Sequence, residues 1–518
     1  MSDSNKVDII VLGATGFTGR LITRYLYAHP ACAYSPNYNP SSEFTFTFGL
    51  GARSMSKLKT TVAEPLSLAR EVPLIEVDVT NVSDLERAFG LGSGEGKARV
   101  KVVISAVGPF WKYGTELVRT CAKHGIHYVD TTGETPWLKD IIEQFDYLAT
   151  KSGAIIVPSC GLDSIPADLS VYLASRALHS HHLFSLSHSS PSPHIGLGPS
   201  ITALALRGAM SGGTLQTILS LLSELPPSKL RASAIPYALS PVKGPRNPAQ
   251  KIVYSLPSIP GVKTLVGMVT MFGVGDRAVV HRSWGLLQLR KRTLQGQGQS
   301  GKREGGAEEE VRTYGEEMTY EEFMVTPNVF LAGLFGGLFV LGAGLLVALK
   351  PLQWLVKRFG LQSGSGPSES TMQNGRLVAT NITSTDSKTE PKLTARTVIT
   401  GKGDPGYLLT SVMTAESALA LFSLLPDTPY KAPELGSLAS STSITSSWAS
   451  LGSTTGPGPS STTAFHHTKP TLNPIARQGG ILTPTIAFGD VLVDRLERSG
   501  RFVFESEVFV GGEGRKGR

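Results

Sequence analysis

The chain of 518 residues has a formal net charge of +8, but only 17% of its residues are charged. This length suffices for two or three domains whose cores need no disulfide support. No compact basic face is visible, which argues against nucleic-acid binding and leaves an anionic dinucleotide or membrane surface as partner. The three cysteines are widely spaced, so we predict neither a metal site nor a disulfide framework. The first residues lack the pattern of a secretory signal, so we expect a protein that is not secreted.

In the first 158 residues, short apolar runs alternate with helical patterns. The run at 7–12 ends in glycine and residues 20–28 have helical spacing, which predicts a strand, a tight turn and a helix. Further strands are predicted at 44–52, 73–79, 101–107, 126–130 and 154–158, with helices at 83–89, 114–124 and 138–151. The interval 28–43 is predicted to be an inserted loop. This order of elements predicts an α/β protein with a Rossmann-type doubly wound parallel sheet over residues 1–158.

The rest of the chain predicts a second domain of the α+β class that is interrupted by segments of other character. The predicted units are 159–327 as the first part of the second domain, 328–360 as a hydrophobic membrane-associating segment, 361–397 as a flexible linker and 398–518 as the carboxy-terminal part of the second domain. Residues 431–470 are poor in apolar side chains, so they predict a disordered insertion within the last unit.

The hydrophobic segment contains 22 uncharged residues at 328–349. This exceeds the roughly 18 residues of a transmembrane candidate, and Lys350, Trp354 and Arg358 behind it suit the headgroup region. The domain before the segment follows an amino terminus without a secretory pattern, which favours the cytosol, and the basic flank behind the segment favours the cytosol as well. We therefore predict that the segment enters the cytosolic face of a membrane, of the endoplasmic reticulum or of a lipid droplet, and returns. A buried, glycine-rich core helix is the alternative.

Bends at glycine would allow the segment to return. The glycines available for them are Gly333, Gly336, Gly337, Gly342 and Gly344.

A glycine-rich loop follows the first predicted strand. Its residues are Gly13, Ala14, Thr15, Gly16, Phe17, Thr18 and Gly19. Gly13 permits a sharp exit from the strand, Gly16 lets the backbone approach a pyrophosphate, and Gly19 allows close packing of the helix. The loop therefore predicts a dinucleotide-binding site, with a glycine-rich turn that holds no ligand as the alternative.

The end of the second predicted strand indicates which nicotinamide cofactor is bound. An Asp or Glu at this place would select NADH, but the sequence has Arg53 and Ser54, followed by Lys57. A guanidinium, a hydroxyl and an ammonium group suit a 2′-phosphate, so we predict that NADPH (NADP+) is preferred over NADH. The alternative is that these residues only solvate the start of a helix.

Two further strand ends are predicted to meet the cofactor. Asp78 and Val79 follow the third strand, where the adenine commonly lies, and the turn after the fourth strand suits the nicotinamide. The residues of that turn are Ala106, Val107, Gly108 and Pro109. Ordinary strand-to-helix turns are the alternative for each of them.

A rival site would use Tyr147 and Lys151, whose spacing matches the catalytic pair of short-chain dehydrogenases. On a helix at 138–151, however, Tyr147 lies about 180° from the centre of the apolar stripe at about 100° per residue. We therefore predict that this pair faces solvent.

Several motifs together resemble those of the saccharopine dehydrogenase-like oxidoreductases. They are the glycine-rich loop at 13–19 and the segments 105–110, 128–134 and 158–168. Downstream, 403–407 with Glu416 and 480–484 with 489–490 resemble the carboxy-terminal part of the mycobacterial trans-acting enoyl reductases of the same family.

The resemblance implies that a lipid-linked double bond is reduced and, for eukaryotic members, that the protein associates with membranes or lipid droplets. The substrate would then be lipid-linked or acyl-linked. The long polar insertions and the segment at 328–349 depart from the bacterial pattern.

The proton donor of such a reduction has four candidates near the domain junction, Tyr113, Tyr128, Cys160 and Asp163. Asp163 could instead cap a helix, and Cys160 could be a small buried hydrophobe. Two other functions stay open. One is a nucleotide-binding scaffold on lipid surfaces without turnover, and the other is an amino-acid dehydrogenase, which would require clustered basic residues for the substrate carboxylates.

Overall fold

The computed structural model describes residues 7–63, 72–91, 99–185, 195–208, 212–296, 313–359, 366–428 and 472–510. Within these residues the chain forms two seven-stranded sheets and the helices that cover them. The predicted disordered insertion at 431–470 lies outside the described residues.

The amino-terminal elements alternate between strand and helix. They are β1 (Ile9–Leu12), α1 (Phe17–Ala28), β2 (Phe48–Ala52), α2 (Met55–Leu58), β3 (Leu74–Glu76), α3 (Val82–Phe89), β4 (Val102–Ser105), α4 (Phe110–Tyr113), α5 (Thr115–His124), β5 (His127–Asp130), α6 (Thr135–Ser152) and β6 (Ile155–Val157).

The following elements form the second half of the fold. They are α7 (Ile165–Ser185), β7 (Leu197–Arg207), α8 (Gly212–Glu224), α9 (Pro227–Ala234), β8 (Val253–Ser255), β9 (Val266–Val269), α10 (Gly273–Gly296), β10 (Thr319–Thr326), α11 (Val329–Ala348), α12 (Lys350–Phe359), α13 (Glu369–Gln373), β11 (Arg376–Thr385), β12 (Leu393–Lys402), α14 (Thr410–Leu424), β13 (Gly480–Ile481), α15 (Pro484–Phe488), α16 (Asp490–Arg498) and β14 (Phe502–Val510).

The first sheet is parallel and has the strand order β13-β6-β5-β4-β1-β2-β3. The chain moves outward from β1 in both directions, as in a doubly wound Rossmann sheet, which confirms the predicted fold class. The predicted strand at 44–52 pairs in β2 only from Phe48, because Phe46 forms a bridge with Cys32 of the preceding loop. Both of these side chains are buried, so the apolar pattern there reflects core packing.

The carboxy-terminal part of the chain completes the first domain as well as the second. β13 pairs with β6 at the edge of the first sheet, and α14 packs against α1, β4 and β5. The prediction that 398–518 belongs to the second domain alone is therefore wrong. All residues of α14 are buried, and a helix that is apolar on every side must be covered on every side. The sequence pattern does not show which sheet supplies that cover.

The second sheet has the order β14-β12-β11-β7-β10-β9-β8 and is antiparallel except for the pair β7 and β10. α7 and α10 pack on one of its faces. The predicted linker at 361–397 is wrong for the residues that form β11 and the start of β12. Their polar side chains are buried and hydrogen-bonded to one another: Asn381 donates to Ser200 at 2.9 Å and to Thr202 at 3.0 Å. Because these buried polar groups are hydrogen-bonded, a strand inside the sheet can have the polar composition that is typical of a linker.

α11 coincides with the predicted hydrophobic segment, and it is one continuous helix through all five glycines. The bends predicted at those glycines are therefore wrong for this structure; the chain turns instead after the helix, at Leu349 before Pro351. The alternative for this segment was a buried core helix, but only 11% of its most apolar stretch is buried. A buried apolar helix does occur in this fold, and it is α14. Small residues allow its close contact with β8 and β9: Ala332 and Gly336 are the buried positions.

Asp168 joins three helices at the domain junction. This fully buried residue of α7 accepts hydrogen bonds from Ser283 of α10 at 2.6 Å. It also accepts bonds from the backbone N–H and the hydroxyl of Thr485, in α15, at 3.0 Å and 2.6 Å. Without the carboxylate the buried N–H of Thr485 would lose its acceptor, and the hydroxyls of Ser283 and Thr485 would keep only each other and Thr483 as partners.

We expect Asp168→Ala to lower the free energy of unfolding by about 3 kcal/mol, the cost of buried donors that lose a charged partner. Urea-induced unfolding followed by circular dichroism measures the effect. Asp168→Asn should lose less, because its amide oxygen still accepts. Asp494→Ala, which removes an exposed ion pair with Arg498, is the matched control and should change stability by less than about 1 kcal/mol. Equal losses in Asp168→Ala and Asp494→Ala would contradict this role.

Candidate functional site

The glycine-rich loop makes a tight turn between β1 and α1. Gly13 has φ of 79°, a conformation that favours glycine, and a Cβ there would lie 2.8 Å from the carbonyl oxygen of Ala106. A Cβ on Gly19 would overlap the carbonyl oxygen of Gly13. Gly16 is the residue before the first turn of α1, and its N–H donates to Gly13 at 3.0 Å. The helix therefore starts close to the carboxyl edge of the sheet, where free N–H groups bind an anion.

The other loop residues differ in what they can offer to a cofactor. Thr15 and Thr18 are half-buried and line the turn. The ring of Phe17 packs edge-on against Tyr407 at 5.4 Å between ring centroids. Phe17 is thus a packing residue, and only its backbone N–H remains for the predicted role in cofactor binding.

Arg53 follows β2 and lies beside Asp78, which follows β3, and Tyr113, the last residue of α4. Its guanidinium lies over the ring of Tyr113 at 5.8 Å. Hydrogen bonds from Thr80 lower the pKa of Asp78, and the charge of Arg53 lowers it further. The structure therefore brings Arg53, Asp78 and Tyr113 together. A 2′-phosphate bound at Arg53 would put Tyr113 on the adenosine side of the cofactor, where it would not suit a proton donor.

The remaining predicted cofactor residues near Arg53 occupy different positions. Ser54 caps α2, where its hydroxyl accepts from the N–H of Lys57 at 3.3 Å. The side chain of Lys57 is exposed. Val79 is buried in the core of the first domain and can contribute only its backbone.

The turn after β4 is held in place by a residue that the sequence analysis did not single out. Ala106 and Val107 lie against Gly13, and Gly108 is exposed at the carboxyl edge of the sheet. Buried Glu134 accepts from the N–H groups of Phe110 at 2.8 Å and Trp111 at 2.7 Å. Burial raises the pKa of Glu134 to about 7. Its only signal in the sequence is its place in the segment 128–134.

Two of the four proton-donor candidates lie in the core. Tyr128 is fully buried and donates to Asp130 at 2.7 Å, and burial raises the pKa of Asp130 to about 6. Asp130 also accepts from the N–H of Ser159 at 2.8 Å, so this network supports the loops that follow β5 and β6. Cys160 is fully buried as well, and its thiol donates to the carbonyl oxygen of Val157 at 3.3 Å. The structure supports neither as a donor to a substrate.

Asp163 is the proton-donor candidate whose side chain lies at the domain junction, against the loop after β5. Its Oδ2 lies against Gly133, where a Cβ would come within 2.5 Å. At the start of α7 the N–H groups of Ile165 and Asp168 donate to the carbonyl oxygens of Gly161 and Ser164. Burial raises the pKa of Asp163 to about 6. A carboxyl group of this kind holds its proton closer to neutral pH than an exposed aspartate does.

Asp276 of α10 and Glu322 of β10 form a buried acid pair beside Asp163. Burial and their mutual repulsion raise the pKa of Asp276, and burial with the nearby Asp163 raises that of Glu322. Tyr320 donates to Glu322 at 2.9 Å. Asp276 Oδ1 and Glu322 Oε1 have no hydrogen-bond partner in the described part of the chain. We call Asp163, Asp276 and Glu322 the acid cluster.

Sequence reasoning missed two members of the acid cluster because they are more than 100 residues from Asp163 and lie in no motif. Only the docking of α10 and β10 against the first domain brings them together. In the described residues no group of His, Cys, Asp or Glu has the geometry of a metal site. Tyr147 of the rival pair is 80% exposed, which agrees with its predicted position on the solvent side of α6.

The comparisons with known proteins agree with this geometry. Residues 9–157 match the family model of the saccharopine dehydrogenase NADP binding domain. A candidate trans-acting enoyl reductase of Mycobacterium tuberculosis is 30% identical over 435 residues, covering 80% of this chain and 88% of the relative. A trans-acting enoyl reductase of Mycobacterium leprae is 35% identical over 34% of this chain and 37% of its own.

A lipid droplet localized protein of Caenorhabditis elegans is 28% identical over 54% of this chain and 59% of its own. Among solved structures, the apo saccharopine dehydrogenase (L-Glu forming) of Saccharomyces cerevisiae covers 97% of this chain and 99% of its own, with 12% identity and a TM-score of 0.41. The family model confirms NADP(H) as the cofactor class.

We expect Arg53→Ala to reduce the preference for NADPH over NADH, because the planar guanidinium is the strongest donor available for a 2′-phosphate. The ratio of the two dissociation constants should fall by a factor that corresponds to about 1.5–3 kcal/mol. Titration of the cofactor fluorescence measures it. Lys123→Ala is the control, because it removes an exposed charge from the last turn of α5, near the amino-terminal ends of the strands. It should leave the ratio unchanged. An unchanged ratio in Arg53→Ala would refute the assignment.

Proposed function

Because the chain belongs to the saccharopine dehydrogenase-like oxidoreductases, the family that includes the trans-acting enoyl reductases, we propose that it reduces a lipid-linked carbon–carbon double bond with NADPH. The enzyme would act at the surface of a membrane or lipid droplet. The observation that carries the reaction is the acid cluster at the domain junction, and the observation that carries the location is the exposed apolar helix α11.

Reduction of a conjugated double bond adds a hydride to one carbon and a proton to its neighbour. When bound, NADPH supplies the hydride and leaves as NADP+. The protein must orient the substrate and supply the proton from an acid whose pKa lies near the working pH. Asp163 meets this requirement, because burial raises its pKa to about 6 and it is only partly covered.

Asp276 and Glu322 are well placed to restore the proton to Asp163. Carboxyl groups this close in a buried site cannot all ionise, so the acid cluster retains at least one proton near neutral pH. The tyrosine hydroxyl that donates to Glu322 holds this side chain in place. We assign Asp163 as the donor and the two others as positioning residues that act through it.

The same cluster argues against an amino-acid dehydrogenase. A substrate with two carboxylates would need clustered basic side chains, but the groups around this junction are acidic. Their charge would repel such a substrate. An uncharged acyl substrate avoids this repulsion.

α11 supports work at a lipid surface. It is apolar on every side, so it must be buried in a core or in lipid, yet most of it is exposed on this chain. Its 20 residues correspond to about 30 Å of helix. The exposed large side chains of the helix are Val329, Phe330, Leu334, Phe335, Leu338, Val340, Leu341, Leu345 and Val347.

The second sheet restricts how α11 can meet a membrane. β10 precedes the helix and β11 follows it, and both strands pair with β7. The two flanks therefore belong to one folded body and must lie in one compartment. A single crossing is incompatible with this sheet, so α11 lies in the surface, or the chain inserts with α11 and returns through the turn at Leu349 and α12, with both flanks in the cytosol. The lipid-droplet relative supports such a monolayer surface.

We expect Asp163→Asn to lower kcat for reduction of an enoyl thioester by about 10²- to 10⁴-fold without a change in NADPH affinity, since the amide cannot donate the proton. NADPH absorbance with an added long-chain enoyl thioester measures the rate. In the unaltered enzyme kcat should fall as pH rises above about 6, because the protonated fraction of Asp163 declines.

Two variants complete this test. Glu322→Gln should lower kcat by less than Asp163→Asn does, because it removes a positioning residue and leaves the donor in place. Asp140→Asn, in an exposed ion pair with Lys229, should leave kcat and its pH profile unchanged. NADPH binding with no acyl-dependent oxidation in the unaltered protein would instead favour a scaffold without turnover.

We expect Leu338→Lys together with Leu345→Lys to abolish most flotation with lipid droplets or phospholipid vesicles, because each places a charge on the exposed face of α11. Flotation in a density gradient measures the bound fraction. Leu289→Lys, at an exposed position of α10, makes the same change away from α11; it is the control and should still float. Protease should remove a tag placed after Arg518 from intact membranes. Protection of that tag until detergent is added would mean that the chain crosses.

A further inference from the structure

The face of the second sheet that turns away from α7 and α10 carries a groove. The loop 256–265 covers one side of it, and β7, β10, β11 and β12 supply its floor. Its volume of about 640 Å³ is within the range of small-molecule sites, about 300–1,000 Å³. The apolar lining includes Ala203, Leu256, Val262, Leu265, Val325 and Val378.

At one end of the groove, cationic side chains lie opposite one another on neighbouring strands, where their like charges repel. Arg207 of β7 stands directly opposite Arg376 of β11, and Arg376 stands opposite Lys402 of β12. Arg207, Arg376 and Lys263 of the covering loop line the groove. Like charges directly opposite one another destabilise a sheet. An anion between the two guanidinium groups would replace this repulsion with charge-assisted hydrogen bonds.

The carboxylates near this end do not neutralise it. Neither Arg207 nor Arg376 forms an ion pair with any residue that the structure describes. Glu507 of the edge strand β14 pairs with Arg396, at the other end of the groove, at 3.2 Å. Asp404 lies beside Gly208 but is fully buried and accepts from the N–H of Tyr407 at 2.9 Å. The cationic end is therefore open to an external anion.

The apolar part of the groove continues toward α11. Phe339 of α11 packs in the same apolar cluster as Val262, Leu265 and Val325, all three of which line the groove. Because β10 runs parallel to β7 and leads into α11, the helix starts at the same strand end as Arg207. The apolar floor and the cations beside it fit a molecule with one acyl chain and an anionic head.

We propose that this groove binds a long-chain fatty acid, with the carboxylate between Arg207 and Arg376 and the chain on the apolar floor. The volume accommodates one chain with its head. The groove is separate from the reaction site, because Glu322 points from β10 toward α10 whereas Val325 of the same strand lines the groove. The proposal goes beyond the reductase function and does not depend on it.

The test uses the full chain and palmitate as the probe. Displacement of a fluorescent fatty acid gives the dissociation constant, and native mass spectrometry gives the stoichiometry. We expect one palmitate per chain, and we expect Arg207→Gln with Arg376→Gln to weaken binding by about 10- to 100-fold. Ala205→Trp should also prevent binding, because it fills the groove without changing its charge. Methyl palmitate should bind far more weakly than palmitate.

Controls separate this site from the reaction site and from a folding defect. Arg231→Gln removes an exposed charge from α9 and should bind palmitate normally, and all variants should keep the thermal midpoint of the unaltered protein. NADPH oxidation in the groove variants should be retained, and Asp163→Asn should still bind palmitate. Loss of palmitate binding in Asp163→Asn would place the ligand in the cleft and overturn the proposal.

Two other results would also overturn it. One is unchanged palmitate affinity in both the double arginine variant and Ala205→Trp. The other is a chain that binds no palmitate and forms a dimer that Ala205→Trp dissociates, because the groove would then be an interface between two copies.

Discussion

The burial of α14 is the constraint on which both domains depend. Every residue of this helix is buried, and the helix lies against α1, β4, β5, α15 and α16. Its one charged residue, Glu416, pairs with Arg495 at 2.7 Å and accepts from the hydroxyl of Tyr25 at 2.5 Å. An unpaired carboxylate at this depth would be very costly, so the pair requires that α16 dock where it does. The carboxy-terminal part of the chain is thereby held to the first sheet through α14 and α16. Its last strand, β14, then pairs in the second sheet.

This arrangement explains why the two halves of the candidate site differ in how well the sequence predicted them. The cofactor half is local: a strand, three glycines and a helix within a few residues determine the phosphate loop, and Arg53 lies at the end of the next strand. The acid half is non-local. Asp276 and Glu322 come from a helix and a strand that meet Asp163 only after both domains have formed, and no spacing between them carries a signal.

Local patterns also misled where polar groups satisfy one another. The prediction of a linker at 361–397 relied on its low apolar content and its abundance of Gly, Ser, Thr, Lys and Glu, which are typical of solvated chain. In the structure Thr383 and Ser200 share a hydrogen bond of 2.7 Å at the centre of the sheet, and Asn381 completes the network. For α11 the sequence predicted the length and position correctly but not the shape, because glycine permits a bend without requiring one.

The second sheet carries the acid Glu322 on one face and the groove on the other. The face toward α7 and α10 carries Glu322 and the hydrogen-bonded polar side chains, and the other face carries the groove and its cations. β10 belongs to both, since it places Glu322 on one side, Val325 on the other and contacts α11 directly. A strand that holds one acid of the acid cluster and one wall of the groove sets the distance between that cluster and α11. An acyl substrate drawn from the same lipid surface would then approach a cleft whose position relative to that surface does not vary.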